Sequence, residues 1–167
     1  DGLMIEGFAL EADQSPYAYE DWQLQMDRIL GAVRRGQAII AQTYAAGDRE
    51  RLFALGSYLL VKSSHPYLNI DLGFEPEWWP EYDIPVGTAT EGATTSIADL
   101  YDSANQVYRR DFDNGFVLVN STSPWDGSGI TRTVPASGLP TGSLSYRAVT
   151  SVVLPPFSAA VLLNSRP

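Results

Sequence analysis

The sequence predicts an α/β unit followed by an antiparallel β unit, and three observations carry that reading. Apolar, strand-like runs alternate with helical patterns over the first half. The last third becomes rich in Val, Ser, Thr, Gly and Pro. Charge shifts at the same place: residues 1–100 hold sixteen acidic and six basic side chains, a balance of −10, whereas residues 101–167 hold four and five, a balance of +1. The expected organisation is a unit over residues 1–85, a linker over 86–105, and a β unit over 106–167. The stretch "GTATEGATTSIADLYDSANQ" is small and polar, as a linker requires.

The first element is the run Leu3–Phe8, too short for a helix and interrupted only by Glu6 and Gly7. Ser15-Pro16 then offers an N-cap and the proline favoured in a first helical turn. Trp22, Met26, Ile29, Leu30 and Val33 recur at spacings of three and four, and Arg34-Arg35-Gly36 gives the stop signal. Gln37–Tyr44 reads as a second buried strand. A second helix follows Gly47-Asp48, with Leu52, Leu55, Tyr58 and Leu59 on one face. Tyr67–Leu72 is the third strand. The order β-α-β-α-β with short connections favours parallel strands and right-handed crossovers. Both an open doubly wound sheet and a (β/α)8 barrel satisfy it. No Gly-rich phosphate loop follows any strand, so a nucleotide-binding version has no support.

The last third carries Val107–Phe112 and Phe116–Asn120 on either side of Asp113-Asn114-Gly115. Asn-Gly between β-rich runs signals a hairpin with a type I′ turn. Further strands are expected at Ile130–Val134, Ser143–Ala148, Ser151–Leu154 and Ala159–Leu163, with Pro155-Pro156 breaking the ladder before the last. Five or six such strands form an antiparallel β-sandwich or small barrel.

Composition excludes several function classes. The chain is 44% hydrophobic, enough for one ordinary core, yet no window approaches eighteen consecutive apolar residues, so no membrane span is expected. The net charge of −9 argues against nucleic acid as a partner. With no cysteine and one histidine, thiolate and histidine-rich metal sites are excluded, and neither a metal nor a cofactor is expected. No G-x-S-x-G context supports a serine hydrolase, and the acidic clusters lack the order of a calcium loop.

Chemistry-bearing residues gather at the strand ends: Glu6, then Gln42 and Tyr44, then Asn69 and Asp71. Each alone is as well explained by a satisfied hydrogen bond; together they point to a site. Trp78-Trp79 follows the third strand within "EPEWWPEY", where adjacent side chains point in different directions, so one ring at most faces outward and the other packs inward. Trp22 belongs to the helix stripe, His65 to a loop, and Trp125 to the turn "SPWDGSG".

The succession "DGLMIEGF", "YLNIDLG", "EWWPEYDIPVG", "VYRRDFDNGFVLVNST" and "LPPFSAAVLL" resembles the C-terminal part of TIM-barrel glycoside hydrolases (hypothetical glycosyl hydrolase families) that carry an appended β domain. The hairpin and closing strand are the more specific part. The resemblance implies that residues 1–85 are the last strands and helices of an incomplete (β/α)8 barrel, followed by a small β-sandwich. A full barrel takes about 250 residues. The chain is therefore expected to be a fragment, inactive without the missing N-terminal half of the barrel as its partner. The substrate implied is a poly- or oligosaccharide, and the compartment extracellular or periplasmic.

Such enzymes use two carboxylates flanking the scissile bond. Glu6 matches the family-like position as acid/base or nucleophile, and Asp71 is its candidate partner. Tyr44, Asn69, Trp78, Trp79 and Glu11 are the candidate substrate-binding residues. The rival reading is a non-catalytic carbohydrate-binding or scaffold protein, in which the same strand-end residues are structural.

Overall fold

The structure, a computed structural model, describes residues 1–70, 77–92, 94–140 and 148–164. Its first sheet is built from β1 (Gly2–Glu6), β2 (Ala38–Thr43) and β3 (Pro66–Ile70), all parallel, in the order β1-β2-β3. Helix α1 (Tyr19–Arg34) joins the first pair and α2 (Asp48–Val61) the second. The second sheet holds β4 (Tyr101–Asp102), β5 (Val107–Phe112), β6 (Gly115–Asn120), β7 (Arg132–Pro140), β8 (Val149–Leu154) and β9 (Ser158–Leu163), in the order β4-β5-β6-β9-β7-β8.

The expected fold class is corrected on both counts. The parallel strands are not part of a (β/α)8 barrel but an open three-stranded sheet, and with two α-helices against nine strands the described chain is a small β-rich domain. Nor do the later strands form a β-sandwich. The antiparallel strands pair into a single sheet, because β9 inserts between β6 and β7. Local periodicity located the three parallel strands, the two helices and the β5–β6 hairpin. Closure and sheet partnership depend on which surfaces meet in space, and that information is not local.

Helix α2 is what joins the two sheets. Phe53, Ala54, Leu55, Gly56, Leu59, Leu60 and Val61 are buried, so apolar residues surround it rather than forming one stripe. It packs against β3 on one side and against β6 and β9 on the other. A Cβ placed on Gly56 would lie 2.4 Å from Ala159 Cβ and 3.1 Å from Val119 Cγ2, so this glycine sets the depth to which the helix enters the antiparallel sheet. The resulting core runs continuously from Trp22, Met26 and Phe53 to Val117 and Val161. A smaller cluster, including Phe116, Leu118, Val134 and Leu162, covers the far face of the second sheet. Val86, Ile97 and Leu100, from the polar connecting segment, are also buried in the main core.

Two local expectations change in detail. Helix α1 starts at Tyr19, not after Ser15. Leu10 and Pro16 form an isolated antiparallel bridge, and Asp13 Oδ1 accepts from both the amide and the hydroxyl of Ser15, so this stretch is a closed turn. The first free helical amide, Tyr19 N, donates instead to Asp126 Oδ2 at 2.6 Å. The β5–β6 hairpin forms as expected, but its two loop residues are Asp113 and Asn114, and neither has positive φ. Gly115 lies within β6, where a Cβ would approach Leu162 O to 2.1 Å. The glycine is required by close approach of β9, not by a type I′ turn.

Candidate functional site

Parallel register sets the site. Glu6 stands opposite Gln42, and Gln42 opposite Asn69, so three polar side chains form a row across the C-terminal ends of β1, β2 and β3. Side chains alternate along a strand, and two residues earlier the same face carries Met4, Ile40 and Tyr67, exposed at 60, 48 and 59%. The other face, with Ile39 and Ala41, is buried against the core. The open side of the sheet is thus an apolar strip ending in a polar rim.

Within the rim, Tyr44 Oη donates to Glu6 Oε1 at 3.0 Å, and Asn69 Nδ2 donates to Gln42 Oε1 at 2.6 Å. Glu6 is exposed and Gln42 is buried between its neighbours. The backbone beyond Glu6 is held firmly. Gly7 has φ +72°, and a Cβ there would meet Tyr17 Oη at 2.8 Å. Gly7 O accepts from Tyr17 Oη and Gln25 Nε2, Ala9 N donates to Gln25 Oε1, and Phe8 N donates to Gln42 O. One glutamine side chain therefore clamps both sides of the bend that follows the rim carboxylate. Burial, reinforced by the charge of Glu11, raises the Tyr17 phenol above its usual pKa, keeping it a donor.

Tyr44 is positioned in a similar way. Gln14, at φ +69°, accepts from Ala46 N through Oε1 at 2.8 Å and so ties the loop after β1 to the loop after β2. Sequence reasoning missed Gln14, Tyr17 and Gln25. A signal existed for Gln25: it lies within the stripe Trp22, Met26, Ile29, where a polar side chain needs buried partners.

The remaining candidates divide. Asn69 and Trp78 line a groove of about 430 Å³ along the outer edge of β3, together with Tyr67 and Tyr82. Trp78 is 71% exposed, packs edge-on to Tyr82 with ring centroids 5.2 Å apart, and donates to Asp83. Trp79 turns inward, donating from Nε1 to Ile70 O at 3.1 Å under the guanidinium of Arg51. With Tyr82 Oη accepting from Ile70 N, it satisfies the end of an edge strand. Glu11 is exposed in the turn closed by Glu11 N to Ser15 O. Asp71, and the strand expected at Ser143–Ala148, lie outside the described residues. Among the described residues no group of three or more His, Cys, Asp or Glu is placed to hold a metal, and no helix is long and apolar enough to cross a membrane.

Over residues 1–116 the class indicated is glycoside hydrolase-like. The chain belongs to hypothetical glycosyl hydrolase family 15, which matches those residues. The matched span runs from β1 to the start of β6 and contains the whole rim. No curated protein matches the chain.

Proposed function

We propose that this chain acts on a poly- or oligosaccharide by carboxylate acid/base chemistry centred on Glu6. The observation that supports this is the Tyr44 Oη to Glu6 Oε1 bond, which orients an exposed carboxylate on an open sheet face. In this reading, Glu6 transfers a proton to the glycosidic oxygen or activates the attacking group. Asp71, two positions beyond Asn69, supplies the second carboxylate that glycoside hydrolysis requires. Gln42 and Asn69 offer amide donors and acceptors to ring hydroxyls, while Tyr67 and Trp78 present apolar ring faces. Turnover of a panel of aryl glycosides tests this: Glu6→Gln should lower kcat by about 10²–10⁴-fold, the usual worth of a general acid or base. Unchanged turnover in Glu6→Gln would rule the assignment out.

The rim also favours a second reading, oligosaccharide binding without hydrolysis, because Glu6 is joined there by two amides rather than by another carboxylate among the described residues. Saturable binding by a chain that never hydrolyses, weakened by Asn69→Ala but retained in Glu6→Gln, would select it.

A further inference from the structure

A second cavity lies where the start of α1 meets the antiparallel sheet, lined by none of the rim residues. It has a volume of about 250 Å³, below the ~300–1,000 Å³ of sites for drug-sized ligands, and suits one small ring. Tyr19, Tyr101 and Tyr108 form one wall; Ser121 and Arg132 contribute to its lining. Tyr101 and Tyr108 pack at 5.2 Å between centroids, with Tyr101 39% exposed.

Two polar atoms in this lining lack partners. Ser121 is 3% exposed, yet its Oγ makes no hydrogen bond. Arg132 Nε is likewise buried without an acceptor. Tyr19 Oη and Tyr108 Oη lie 2.9 Å apart, and Gln23 Nε2 donates to both, at 3.3 and 2.7 Å. One phenolic hydrogen bridges the pair, so this part of the wall is held by its own hydrogen bonds. A buried polar group left unpaired costs about 1–3 kcal/mol, so two around one cavity, Ser121 Oγ and Arg132 Nε, mark a place for a polar ligand. Arg132 is the only charged side chain among the described residues that line it, and it makes no ion pair with any of them. On a chain of net charge −9, an uncompensated guanidinium selects for a carboxylate.

We propose that this cavity binds a single carboxylate-bearing sugar ring, a hexuronate. Arg132 holds the carboxylate, Ser121 Oγ meets a ring hydroxyl, and the tyrosine wall covers a ring face. The inference does not depend on the Glu6 rim, because it concerns binding at a separate place.

The test titrates the full chain with D-glucuronate, with D-glucose and acetate as controls, following backbone amides by NMR. Expected are saturable shifts at Ser121, Thr122 and Arg132. Binding should weaken by about tenfold or more in Arg132→Gln and several-fold in Ser121→Ala, and stay unchanged in Glu6→Gln. Ser121→Ala removes one hydroxyl and serves if Arg132→Gln does not fold. The proposal is overturned if glucuronate shifts none of these amides, if glucose or acetate binds as tightly, or if both pocket variants bind like the parent. Loss of glycosidase activity in Glu6→Gln would leave this result untouched, so the two proposals fail separately.

Discussion

Tyr44, one residue beyond β2, donates its phenolic hydrogen across the sheet to Glu6 Oε1 over 3.0 Å. The parallel register brings the two ends together, since Glu6 pairs with Gln42, two residues before Tyr44 on the same face. Removing the donor frees the carboxylate to rotate without removing it. Tyr44→Phe should therefore lower kcat on an aryl glycoside by about tenfold, the worth of about 1.4 kcal/mol, with little change in KM. Because the bond is exposed, stability should fall by about 1 kcal/mol or less. A Tyr44→Phe protein with parental kcat would show that this bond does not orient a reacting group.

Gln25 offers a different kind of check. Its amide donates to Gly7 O and accepts from Ala9 N, so Gln25→Leu leaves the buried Ala9 N without a partner and Gly7 O with Tyr17 Oη alone. That should cost about 1–3 kcal/mol in urea unfolding, the worth of one unsatisfied buried group. Gln25→Glu keeps the acceptor for Ala9 N and loses only the donor to Gly7 O, and should fall between the two. Equal stability of all three proteins would remove Gln25 from the account of how the rim is held.

The packing of α2 yields the third prediction. In an exposed helix, Gly→Ala stabilises by about 1 kcal/mol. At Gly56 the added Cβ would sit 2.4 Å from Ala159 Cβ, which is fixed to the backbone of β9. Overpacking of this kind costs about 1–3 kcal/mol, so Gly56→Ala should destabilise despite its better propensity. Adding Ala159→Gly should restore part of the loss. A stabilised single variant, read from the urea midpoint at constant slope, would mean that α2 shifts freely against the sheet.

How much of this was legible beforehand follows from the range of each interaction. The positions of β1, α2 and β9 come from local apolar patterns, and the polar rim comes from what lies at the strand ends. The single antiparallel sheet was not legible, because the pairing of β9 between β6 and β7 joins residues far apart in sequence. The same holds for Gly115, read from Asn-Gly as a turn residue although Leu162 O is what forbids a side chain there. Asp126 at the start of α1 is 107 residues from the amide it caps. Gln14 acts on a backbone atom of a folded loop, which leaves no periodic signature, whereas Gln25 showed only as a polar residue within the apolar stripe of α1.

Buried arginine supplies the fourth prediction. Arg110, on β5, donates from Nη1 to Leu59 O, Leu60 O and Lys62 O at 2.9–3.0 Å, so a strand side chain caps the C-terminal end of α2. Burial lowers its pKa, partly opposed by Glu91, whose Oε2 is 3.8 Å from Nε. Arg110→Met removes the donors from carbonyls at the helix end and should cost about 3–5 kcal/mol, as breaking other buried charged networks does. Lysine keeps the charge but cannot match the guanidinium in reach or shape, and Arg110→Lys should recover less than half of the loss. Full recovery by lysine, judged by thermal unfolding, would mean that charge alone carries the cap.

Finally, the acid and alkaline limits of stability should have separate causes. The Asp126 carboxyl is held below its usual range by the Ser128 side chain first and by the Tyr19 amide next; Asp102 is lowered chiefly by the Asn105 side chain. A carboxylate with a depressed folded pKa contributes stability that is complete above the unfolded value, about 3.9, and is lost as pH falls through the folded one. The melting temperature should thus decline below about pH 4, and less steeply in Asp126→Asn, which has already lost that contribution at neutral pH. On the alkaline side, burial raises the Tyr108 phenol strongly, with the Tyr19 hydroxyl next, and burial also raises Tyr58. A raised folded pKa gives stability that is complete below about pH 10 and is lost as pH rises toward the folded value. Tyrosinate absorbance should therefore show the Tyr58 and Tyr108 phenols ionising only as the protein unfolds. One smooth titration of all nine tyrosines in the still-folded chain would contradict the buried network of Tyr19, Gln23 and Tyr108.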